Sequence, residues 1–215
     1  MSMICSALAI DGATLEQLRN DDDLISGATD LAYKRLLDEQ IERMMASRPE
    51  AERVAARRRR QQAEAAMLAR LPENLAAEIS KARASRDRAS TLDLRSATSM
   101  EKSWDAFHHL FELAGGSLFE GEPFGPNRGY GPAFLRMPEN VVAFAAFLSG
   151  PGAHQVKNAD MNWLREQRLY AWPDAGDTSV SDDELRQGLD THFAVFNGYV
   201  QAAAQRGDAL LIWIS

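Results

Sequence analysis

The chain is poor in cysteine: Cys5 is the only one in 215 residues. A single thiol excludes an internal disulfide and every cysteine-rich zinc arrangement. Long hydrophobic runs are also missing. Met3 to Ile10, broken by Ser6, and Val141 to Leu148 reach about eight residues, far short of the roughly twenty that a membrane-spanning helix needs. The N-terminus "MSMICSALAIDG" has no basic stretch before its apolar run, so no secretory signal is expected. Glycine is absent from residues 31–89, and no aromatic stands between Tyr33 and Trp104. Neither nucleotide-binding glycine motif is complete: in "GEPFGPNRGYGPAF" (121–134), Gly129 and Gly131 lead into Pro132, Ala133 and Phe134. These absences suit a protein of a reducing cytoplasm and leave no membrane role.

What is present is acid. The formal charge is −7, and it is unevenly spread. Residues 34–89 hold fourteen Lys/Arg against nine Asp/Glu, leaving ten against twenty-two elsewhere. An acidic body disfavours nucleic acid and suits a basic protein partner or small cations, although acidic excess also serves solubility alone. The run Arg57 to Arg60 lies among Glu52 and Glu64 with no aromatic for a base to stack on, so a solvated helix face is expected there.

"MICSALAI" reads as a buried strand, and Thr14 with Gln17 as a capping box opening the helix "LEQLRNDDDLI". Residues 31–89 read as two or three helices, with Pro49 and Pro72 at helix starts. Poor in large apolar side chains, this segment is expected to be a protruding helical hairpin or a self-associating arm. A strand "STLDLR" follows, then a capping box of Thr98 and Glu101 opening "MEKSWDAFHHLFEL". Trp104, Phe107, His108 and Phe111 share one face of that helix. Gly115 and Gly116 end it, short strands "SLFEGEPF" and "AFLRM" flank the glycine loop, and Pro138 opens a helix ended by Gly150 to Gly152. An irregular stretch with Trp163, Tyr170 and Trp172 precedes a capping box of Ser181 and Glu184, a long helix to Gly207, and a final strand "ALLIWIS". The fold class expected is α+β: one mixed domain with a small sheet, packed helices and a helical insertion, the terminal strands sharing the sheet.

"MSMI", "EKSWDAFHHL" and "GEPFG…GYGPAFLRMPENV", followed by a helix and an apolar strand, together resemble the YfbM-like family of small bacterial proteins, a domain of unknown function. The resemblance covers roughly residues 1–25 and 91–215, and the helical stretch 31–89 is much longer than the connection it implies, so it looks like an insertion. It implies an α+β fold and brings no established reaction. The family typically places an arginine after Gly-Tyr-Gly-Pro-Ala and a threonine before the helix-opening proline. Here Phe134 and Met137 stand there, so neither the arginine's donors nor the threonine cap carries over.

His108 is the leading residue for chemistry, with Asp105 and Glu112 at i−3 and i+4 able to orient it. A histidine on an aromatic stripe is more often a packed core residue, and that is the favoured reading of His108. His109, His154 and His192 make no metal spacing with it, and neither metal nor cofactor is expected. Ser117 lacks the glycine two places on that a nucleophile elbow needs. Asp105, Glu120 and Glu122 offer carboxylates without a defined pairing. The glycine loop is a structural turn or a binding edge, and in the second case Arg128 and Tyr130 make the contacts. The leading expectation is a non-catalytic, immunity-like binding protein. The alternative is a small enzyme or sensor with a pocket near Trp104, His108 and Tyr130.

Overall fold

The structure is a computed structural model that describes residues 3–127, 130–170, 172–173, 177 and 179–215. Five antiparallel strands form one sheet in the order β2-β1-β5-β4-β3. The central pair is β1 (Cys5–Ile10) and β5 (Ala209–Ile214), in register from Cys5 opposite Ile214 to Ile10 opposite Ala209. The two ends of the chain therefore share the sheet, as their apolar runs imply. β2 (Thr98–Glu101) borders β1, and the hairpin β3 (Glu122–Phe124) and β4 (Ala133–Arg136) borders β5.

Both faces of the sheet are covered, which is why β1 is apolar at nearly every position rather than alternating. Ala7, Ala9, Leu210 and Ile212 face α5 (Trp104–Leu113), α6 (Pro138–Ser149), α7 (Pro151–Lys157), α8 (Met161–Glu166) and α9 (Asp182–Arg206). Leu8, Ile10, Leu211 and Trp213 face α1 (Gly12–Leu18), the start of α2 (Asp22–Met45) and residues 89–94. α3 (Glu50–Leu68) and α4 (Glu73–Ala89) complete an arm, with Pro49 and Pro72 one place before each helix.

The arm differs from the expected insertion at its root. Position 31 lies inside α2, whose first turns bury Leu24, Ile25, Ala28 and Ala32 against the sheet. Beyond Ala32, no described residue from 33 to 84 is buried. α4 rejoins the body at Ser85 and Ala89, its backbone so close to α2 that a Cβ at Gly27 would lie 2.1 Å from the Ser85 carbonyl oxygen.

Several local expectations are corrected. Asp11, not Thr14, caps α1 by accepting from the Thr14 amide. The expected helix 15–25 breaks at Arg19–Asn20, where Asp21 caps α2 by accepting from the Leu24 amide. "STLDLR" forms no strand: the amides of Ser90, Thr91 and Leu92 bond back to α4 carbonyls, so they cannot join a ladder. Thr98 and Glu101 are strand residues paired with β1 instead of a capping box. Glu101 takes φ 48° at the strand end, and its carboxylate accepts from Gln40. Gly150 ends α6, but Pro151 starts α7 at once, so Gly152 is helical. Trp163 lies in α8, capped by Asp160. The Ser181–Glu184 box forms as expected.

Candidate functional site

α5 places the aromatic stripe. Trp104, Phe107 and Phe111 are buried, and Phe111 meets Phe144, Phe147 and Phe193 at 5.5–6.4 Å between ring centroids. His108 shares their side of the helix but sits at its edge, with 27% of its side chain exposed. Its ring lies 5.3 Å from that of Phe119, which also contacts Trp104 at 5.9 Å and Phe134 at 5.6 Å. Phe134 thus extends an aromatic cluster.

The polar groups divide differently from the sequence reading. Glu112 does approach His108, Oε1 lying 3.5 Å from Nε2. Asp105 turns away to His109, 3.8 Å from Nε2, and accepts at 2.7 Å from the Tyr170 amide. The Tyr170 hydroxyl in turn accepts from the Met3 amide. Asp105 therefore ties the 170 segment to α5. Among the described residues, Trp104 Nε1 and His108 Nδ1 are buried without a hydrogen-bond partner.

Tyr130 does not join this cluster. It is 44% exposed, and among the described residues no ring contact links it to Trp104 or His108. Its hairpin is set by Gly125, at φ 78°, where a Cβ would press on Ile25 of α2 at 2.7 Å, on the opposite side of the sheet from α5. Arg128 lies outside the described residues. The amide of Gly131 donates to Asn127, so that donor is taken within the loop.

Three groups escape sequence reasoning because their partners are distant. Ser103 Oγ lies 2.7 Å from His192 Nδ1 on α9, and it makes no cap bond to α5. Arg136 is buried in β4, donating to the Ser117 and Leu118 carbonyls with its Cζ 4.0 Å over the Phe144 ring. Burial pushes its pKa down, and Glu120 opposes the shift. Arg165 is buried on α8 and donates to the Asp177 and Val180 carbonyls and to Asp182. A buried arginine bonding backbone carbonyls is a fastener, since its planar fork satisfies several acceptors at once.

Glu120 pairs with Arg136, Glu122 stands exposed in β3, and Asp105 is engaged by the Tyr170 amide and His109. Among the described residues, no group of three or more His, Cys, Asp or Glu is placed to hold a metal. Cys5 is fully buried in β1, and burial raises its thiol pKa well above the ordinary value, away from the reactive thiolate. A groove of about 550 Å³ opens on the arm between α2 and α3, floored by Ile41, Met45 and Ala56. No described helix is long and apolar enough to cross a membrane.

The family model described as Domain of unknown function (DUF1877) matches residues 1–213. The chain belongs to this family. No curated protein and no solved structure matches it. The matched range of the DUF1877 chain runs through both the sheet-bearing body and the arm.

Proposed function

We propose that the chain is a non-catalytic, immunity-like cytoplasmic domain whose acidic surface binds a basic protein partner; in the same reading its finer kinship is YfbM-like and its source bacterial. One observation carries this reading: half of the body's cations are engaged within the chain. Of the ten Lys/Arg outside 34–89, Arg136, Arg165 and Arg186 donate to backbone carbonyls, and Arg95 and Arg206 converge on the buried Asp208. The body keeps its large acidic excess with few cations free to offset it, which favours capture of a basic protein.

The exposed acids on α9 serve best. Asp182 is held by Arg165 and Glu184 by the capping box, but Asp183 and Asp190 are exposed and seven residues apart on one edge of the helix. Tyr130, with Arg128 near it in sequence, adds the hairpin tip. The test is affinity capture from a lysate of the source cells with wild type, with Asp183→Lys/Asp190→Lys, and with Tyr130→Ala. Recovery of one basic protein near equal stoichiometry, lost with the charge-reversed bait, is the expected result. A partner retained equally by all three baits overturns it.

The sensor or enzyme reading rests on one observation of its own, the unpartnered Trp104 Nε1 and His108 Nδ1 beside Phe119. It requires that a metabolite raise the melting temperature of wild type and not of a folded His108→Ala variant.

A further inference from the structure

We propose that the arm pairs with a second copy of the same chain through an antiparallel contact of the two α3 helices. The arm leaves its own apolar side chains uncovered: none of the described residues of α3 is buried, and Met44, Val54, Met67 and Leu75 on the arm are among the chain's exposed large apolar side chains. One face of α3 is turned to α2 through Arg57–Glu42 and Arg60–Asp38. A shallow groove on the adjoining face is lined by Arg48, Ala51, Glu52, Ala55 and Arg59, with Ala56 on the edge it shares with the α2–α3 groove.

That second face is self-complementary. Glu52 and Arg59 are seven residues apart, and at about 100° per residue they fall within roughly 20° of each other around the helix, about 10 Å apart along it. Among the described residues neither forms an ion pair within the chain. A twofold axis passing between Ala55 and Ala56 sets Glu52 of each copy against Arg59 of the other, two ion pairs from one symmetric contact. At the crossing stand alanines, which let the backbones approach. A parallel pairing would instead place Glu52 against Glu52 and Arg59 against Arg59, so the charges select the antiparallel arrangement.

The experiment is sedimentation equilibrium on the full chain at low and high salt, with wild type, Glu52→Arg, Arg59→Glu, and the two variants mixed. Both sites are exposed, so the folds should match by circular dichroism. Wild type is expected to dimerise more weakly as salt rises. Each single variant faces like charge at both contacts and should dimerise about tenfold or more weakly. The equimolar mixture should recover near-wild-type association, because the cation introduced at position 52 of one variant then meets the carboxylate introduced at position 59 of the other. A wild type that stays monomeric at about 200 μM, a dimer indifferent to both substitutions, or a mixture that fails to recover each overturns the proposal.

Discussion

The hydroxyl of Ser103 and Nδ1 of His192 stand 2.7 Å apart across 89 residues of chain. The contact joins the start of α5 to the middle of α9, and it uses the side chain that would otherwise cap α5. Loss of His192 leaves Ser103 free to rotate toward the first-turn amides of α5. Loss of Ser103 leaves a half-buried imidazole nitrogen unpaired. Ser103→Ala should therefore cost about 1–3 kcal/mol, and a double-mutant cycle with His192→Ala in urea should show coupling of about 1 kcal/mol.

Gly27 tests the root of the arm. An alanine there would gain about 1 kcal/mol of helix propensity. Its Cβ, however, would sit 2.1 Å from a main-chain oxygen of α4, which no side-chain rotation relieves. Overpacking at such a contact costs about 1–3 kcal/mol, so Gly27→Ala should be net destabilising in thermal melts and should loosen α4 from α2.

The arm should open before the body. The pairs Arg57–Glu42 and Arg60–Asp38 are 42–57% exposed, so solvent and salt screen them and they tie α3 only weakly. By contrast, α9 buries Leu189, Phe196, Val200 and Ala203. Hydrogen exchange at residues 50–68 should be at least about a hundredfold faster than at 196–203, and added salt should speed it further.

The pH profile should be a plateau with two physical edges. Asp11 and Glu184 are held below their ordinary values of 3.8 and 4.5 by backbone amides of Thr14 and Ser181. A lowered folded pKa gives stability that is full above the unfolded value and lost as pH falls through the folded one. Tyr199 accepts from the Ala9 amide and donates to the Ser96 carbonyl, and burial raises its pKa from 10.0 to about 12. A raised value gives stability that is full below the unfolded value of 10.0 and lost as pH rises through about 12. Urea titrations across pH should show Tyr199→Phe lowering the plateau by about 1–3 kcal/mol while removing its part of the alkaline loss.

How far the sequence carries depends on the range of the interaction. The α5 stripe and the Ser181–Glu184 box are legible because periodicity and capping are local. Thr14–Gln17 and Thr98–Glu101 have the same local spacing, but the nearby Asp11 supplies the first cap and pairing with β1 claims the second. Of the site residues, Trp104 and His108 are legible as helix neighbours, whereas the separation of Tyr130 follows from Gly125 meeting Ile25, a tertiary contact. Ser103 with His192, and Arg136 with the 117–118 carbonyls, have no local signature because their partners are brought by the sheet and by α9.

The central claim, that this is a domain for a protein partner, is tested most directly by splitting a lysate of the source cells into macromolecular and small-molecule fractions and measuring the chain's melting temperature in each. A rise in the macromolecular fraction alone, abolished by Asp183→Lys/Asp190→Lys, is the result expected. A rise in the small-molecule fraction, lost with His108→Ala, would contradict it and assign the function to the aromatic cluster of α5.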